Sequence, residues 1–95
     1  MFYKIASEWL NKKSVPIMGR AIFSLPDGKE KQMGFRGSIS FLESQPIISF
    51  EVQDNIIKRY PVALWGLNED ESIRCLYFDP ADPSKYAVFV IKEEI

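Results

Sequence analysis

Residues 34–53 read GFRGSISFLESQPIISFEVQ. In an extended chain Phe35, Gly37, Ile39 and Phe41 fall on one face, and Arg36, Ser38 and Ser40 on the other. After the polar break Glu43, Ser44, Gln45, Pro46, the alternation resumes with Ile48, Phe50 and Val52 against Ser49, Glu51 and Gln53. Alternation of period two on both sides of a short polar break predicts a β-hairpin with one buried face. The flanking segments can pair onto it, so this stretch decides the fold.

On its N-terminal side, residues 17–25 read as a strand with Ile17, Ala21, Phe23 and Leu25 on one face. Met18, Arg20, Ile22 and Ser24 take the other. Pro26-Asp27-Gly28-Lys29 is the best turn signal in the chain. Proline pre-sets φ, aspartate bonds its own backbone, and glycine takes a left-handed position. The strand that follows, residues 30–42, is long, and Gly34 and Gly37 predict a bulge or bend in it. Nearer the N-terminus, Phe2, Ala6, Trp9, Leu10 and Lys13 have helical spacing, which predicts a short helix over residues 3–12. A strand over residues 2–5 is the competing reading.

On the C-terminal side, residues 56–67 read IIKRYPVALWGL. Pro61 cannot donate to a ladder, so this strand lies at an edge, bulges, or breaks in two there. Residues 72–78 read as a strand with Ile73, Cys75 and Tyr77 opposite Arg74, Leu76 and Phe78. Residues 79–84 form a proline-rich loop. Residues 85–91 are the last strand, apolar on both faces: Tyr86, Val88 and Val90 on one, Ala87, Phe89 and Ile91 on the other. Such a strand is central or covered.

The fold class expected is therefore α+β and β-rich. It is a single domain over residues 1–95, with a helix in residues 1–14 and an antiparallel sheet in residues 17–92. About six strands form a meander that curls into a small barrel or a sheet covered by the helix. In a meander, the turns at 26–29, 53–55 and 79–84 share one rim, and those at 43–46 and 68–71 share the other.

Composition narrows the function more than it names it. The 95 residues suit one domain with one core, burying roughly 60 to 65% of the unfolded surface. The net charge of −1 hides an asymmetry. Residues 1–36 carry seven basic and three acidic groups, and residues 37–95 carry five and ten, giving halves of +4 and −5. With no histidine, the commonest general base and metal ligand are missing. One cysteine without histidine leaves no tetrahedral zinc set. No phosphate loop is present, since Gly34-Phe35-Arg36-Gly37 has the wrong spacing. Asp79 and Asp82 read as turn residues rather than calcium ligands, and Cys75 as a buried inert thiol. Glu43, Glu51 and Asp54 supply carboxylates, but no spacing selects a pair. The expectation is no enzyme, no cofactor and no metal.

Two binding readings remain, with a third behind them. The first is a protein-interaction module that meets a protein partner or a second copy. Its candidate patch is Lys58, Arg59, Tyr60 and Trp65, cations and aromatics around a proline-interrupted edge strand. The second is nucleic-acid binding on a small barrel through Arg20, Lys31, Phe35 and Arg36. A pI of about 5.4 disfavours it. The third is a small ligand held at a rim, because six strands close too tightly for a large interior. The lone cysteine points to a reducing compartment, hence the cytoplasm, although a short exported or phage-encoded protein has the same signature. No apolar run is long enough to span a bilayer.

Overall fold

The computed structural model describes residues 9, 11–42 and 45–94. Seven strands follow in order: β1 (Ser14–Ser24), β2 (Glu30–Ser40), β3 (Ile47–Gln53), β4 (Ile56–Pro61), β5 (Leu64–Leu67), β6 (Ile73–Phe78) and β7 (Tyr86–Glu93). They form one antiparallel sheet in the order β4-β3-β2-β1-β7-β6-β5. The sheet curls into a half-barrel. Each connection joins neighbours except the two-residue link from β4 to β5, whose strands lie at opposite ends of the order.

That connection is where the curl nearly closes. Val62 N–H donates to Pro46 O (2.8 Å), on the β3 side, and Ala63 N–H donates to Leu76 O (2.7 Å), on β6. One continuous segment thus changes partner between two successive residues. Backbone groups alternate in direction along a strand, so Pro61 faces away from β3, where a missing N–H costs no ladder bond. The strand expected over residues 56–67 breaks in two at its proline.

The α+β expectation is corrected. Every element of the described residues is a strand, and the sheet has seven of them rather than six. The expected helix over residues 3–12 lies outside the described residues except for Trp9, Asn11 and Lys12. Lys12 N–H donates to Trp9 O at 3.0 Å, and β1 begins at Ser14. Trp9 is buried in the core and Lys12 pairs with Glu93 at 3.0 Å, so these described residues are held by contacts with the sheet.

The inner face follows the period-two pattern. Val15, Ile17 and Ala21 of β1, Ile39 of β2, Ile48 and Phe50 of β3, Ile73 and Cys75 of β6, and Ala87, Phe89 and Ile91 of β7 are buried. An aromatic network runs through them. Phe35 meets Phe50 and Phe89 at ring-centroid distances of 5.1 and 5.6 Å, and Tyr60 meets Phe89 at 5.2 Å. Such tilted and edge-on pairs add to the burial of large rings.

Tight curvature has a sequence cause. A Cβ at Gly19 would overlap the Val90 carbonyl, and one at Gly37 the Ser49 carbonyl, so strands cross at these points only because no side chain intervenes. Of the two β2 glycines expected to mark a bend, Gly37 is the close approach; Gly34 has room. At the expected turn, Gly28 has φ +82° and Asp27 Oδ1 accepts Lys29 N–H at 3.0 Å.

The ladders are unequal. β1 and β2 pair without interruption from Ser14↔Ser40 to Ser24↔Glu30. β2 and β3 share only Ser38↔Ser49, Ile39↔Ile48 and Ser40↔Ile47. Beyond Ser38 the β3–β4 hairpin peels away from β2, aided by a bulge at Val52. The half-barrel therefore has an open mouth between its two N-terminal hairpins.

Candidate functional site

Among the described residues no three His, Cys, Asp or Glu side chains come together in a group that could hold a metal ion. Cys75 is fully buried, and desolvation pushes its thiol up to about 12, away from the thiolate that chemistry needs. Asp79 and Asp82 cap their own turn: Asp79 Oδ1 accepts Ala81 N–H at 2.8 Å, and Asp82 Oδ1 accepts the Ser84 hydroxyl at 2.6 Å. The Ser84 bonds hold the Asp82 carboxyl below its ordinary value. Asp70 is lowered in the same way by Ser72. Glu51 accepts Asn55 N–H at 2.7 Å. Glu43 lies outside the described residues.

The patch Lys58, Arg59, Tyr60 and Trp65 is divided by the pleat. Tyr60 turns inward, stacks on Phe50 (5.5 Å, 13°) and meets Tyr77 edge-on at 5.0 Å. Burial, then the neighbouring Tyr77, raises its phenol above the ordinary value. Lys58 lies opposite Phe50 and lines the mouth. Arg59, one residue on, takes the outer face. Trp65 turns inward at the far end against Phe41 (6.2 Å).

The alternative set Arg20, Lys31, Phe35 and Arg36 is also separated. Arg20 and Arg36 are on the outer face, and Arg36 lies 3.6 Å from Glu94. Phe35 is packed inside, and Lys31 is at the mouth. No stacking platform and cationic groove come together from these four.

The register assembles a different surface. On the outer face Ile22 pairs with Val88, Val88 with Leu76, and Leu76 with Leu64. An apolar row thus crosses β1, β7, β6 and β5. Ile22, Val88 and Leu76 are half-buried by their neighbours, and Leu64 is 61% exposed. Tyr86 and Phe78, themselves paired, border the row on one side, with Phe78 42% exposed. Arg20, Val90 and Arg74, paired in sequence, border it on the other. Both arginines are exposed. Among the described residues no element packs over this row. The apolar outer face of the last strand was legible in the sequence; its continuation through Ile22, Leu76 and Leu64 needs the register.

In comparisons with known proteins, no family model, no curated protein and no solved structure matches this chain. Among the described residues no helix is long and apolar enough to cross a membrane.

Proposed function

We propose that the protein is a non-enzymatic protein-interaction module acting in the cytoplasm. Its contact surface in this reading is the outer face of the sheet. The observation that carries the proposal is the row Ile22, Val88, Leu76, Leu64, in register across four strands and uncovered among the described residues. A contiguous apolar strip with a polar border is the ordinary signature of an interaction site. The border also gives the partner a chemistry. Arg20 and Arg74 flank the strip and share a groove with Glu69 and Asp70, so the complementary surface has an apolar ridge with an edge of both charge signs. Arg59 and Leu64 of the proline-interrupted segment belong to this outer surface; Tyr60 and Trp65 support it from within. The lone, buried Cys75 suits a reducing compartment.

The test is native mass spectrometry of untagged protein from its own cell extract, beside the Leu64→Glu/Val88→Glu variant. The expected result is a stoichiometric second protein on the parent chain, lost from a variant that remains folded by circular dichroism. A partner retained by the folded variant sinks the assignment of this face. A bare parent monomer sinks the stable-partner reading. A dimer abolished by the variant would make the partner a second copy.

A further inference from the structure

The open mouth lies on the inner face, away from the proposed partner surface, and has its own chemistry. It is a cavity of about 570 Å³ whose lining includes Phe23, Phe50, Tyr60, Lys31 and Lys58. Ligand pockets commonly fall in the range of roughly 300 to 1,000 Å³. The floor is aromatic: Phe50 stacks on Tyr60, and Phe23 meets Tyr60 at 5.9 Å. The walls are the exposed ends of two hairpins, with Met33 36%, Val52 37% and Ile56 48% exposed. Leaving these three aliphatic side chains in water around a concave site is unfavourable unless something covers them.

The two lysines break the inner-face pattern. The register sets Lys31 opposite Phe23 and Lys58 opposite Phe50, both inner-face positions. An inward lysine on an edge strand such as β4 is a known guard against unwanted strand pairing. That account covers Lys58 but not Lys31, whose strand β2 is interior to the sheet. Neither lysine is in an ion pair among the described residues. Two ammonium groups thus stand over one apolar, aromatic cleft, with no acidic side chain among its lining residues.

We infer that this mouth binds a small anionic amphiphile, with its apolar chain or ring on Phe23, Phe50 and Tyr60 and its acidic head between Lys31 and Lys58. The cleft exists because β3 leaves β2 after three pairs, and Met33 can re-pack around guests of different shape. The occupant takes the place that a continued β2–β3 ladder would otherwise fill.

The experiment is a titration of isotope-labelled protein with sodium octanoate, followed by NMR, beside 1-octanol and octylammonium. Octanoate is expected to give saturable shifts at Met33, Val52 and Ile56, with none at Leu76 or Val88. Octanol is expected to bind about tenfold more weakly, the scale of a lost charged hydrogen bond. The Lys31→Ala/Lys58→Ala variant, altered only at exposed positions, is expected to lose octanoate binding by at least that factor while its spectrum stays native. Equal affinity for octanoate and octanol, shifts on the outer face instead, or undiminished binding by the double variant would each overturn the inference. So would binding to anionic vesicles with no saturable response to octanoate.

Discussion

The inner and outer faces of this sheet are built from similar residue types and meet different fates. On the inner face, Phe89 is fully buried and touches the rings of Phe23, Phe35, Phe50 and Tyr60. One residue earlier, Val88 points outward into a row of aliphatic side chains that nothing described covers. The curl accounts for the difference. Concave curvature brings inner side chains together from every strand, so they bury one another. Convex curvature spreads the outer ones, which touch only their lateral neighbours. A half-barrel therefore buries most of its concave apolar face against itself and leaves the convex row uncovered among the described residues.

The largest effect that would test this contrast is in the core. Phe89→Ala should cost about 4 kcal/mol in denaturant unfolding, through lost transfer energy and the cavity left behind. Leu64→Glu on the outer face should change stability by less than about 0.5 kcal/mol. Equal losses would mean that the outer row is part of the folding core. Next comes the curl itself. Gly19→Ala should cost about 3 kcal/mol, because the new Cβ must displace the Val90 carbonyl. Gly34→Ala, whose new Cβ would lie 3.8 Å from Gly19 O, should be mild in the same assay.

The pH dependence sharpens the same comparison at one inner residue. The Cys75 thiol has its ordinary value of 9.0 pushed up to about 12 by burial. The folded state therefore holds this proton more tightly than the unfolded chain. The resulting stability is complete below pH 9 and is lost as pH rises toward 12, with a slope approaching about 1.4 kcal/mol per pH unit. Tyr60, also raised, adds in the same direction. Unfolding midpoints from pH 8 to 11 should fall less steeply for Cys75→Ala than for the parent chain; parallel curves would mean that the thiol titrates freely. The smallest effect expected is at a turn. Glu71 adopts φ +67°, a conformation disfavoured for side-chain-bearing residues. Glu71→Gly should gain up to about 0.5 kcal/mol after the greater entropy of an unfolded glycine is offset, read as a small rise in melting temperature.

Much of the inner face was legible from the chain alone, because period two is a local property. Phe35, Gly37 and Ile39, and Ile48 and Phe50, could be assigned to it with no knowledge of partners, whereas the last strand is apolar on both faces and only the register places Ala87, Phe89 and Ile91 inside. The turn at Asp27 and Gly28 was legible for the same reason. The alternation could not say which strands lie side by side. Register joins Ile22 to Val88 across 66 positions and fixes which residues of the β5–β6 hairpin face each other, Leu64 and Leu76, and no local pattern encodes that. Tyr60 was misleading because Lys58, Arg59 and Pro61 surround it with polar and turn-like chemistry. The pleat turns Tyr60 inward all the same, and the proline only frees the opposite edge. The apolar spacing around Trp9 resembled a helix, yet β1 begins within five residues of it.

The most direct measurement of the central claim is site-specific photo-crosslinking in cells. A benzophenone side chain is placed at position 64 on the outer face or at position 33 in the mouth. The account predicts a discrete protein adduct from position 64 and none from position 33. An adduct from position 33 alone would contradict it, showing that proteins meet the inner mouth rather than the outer row.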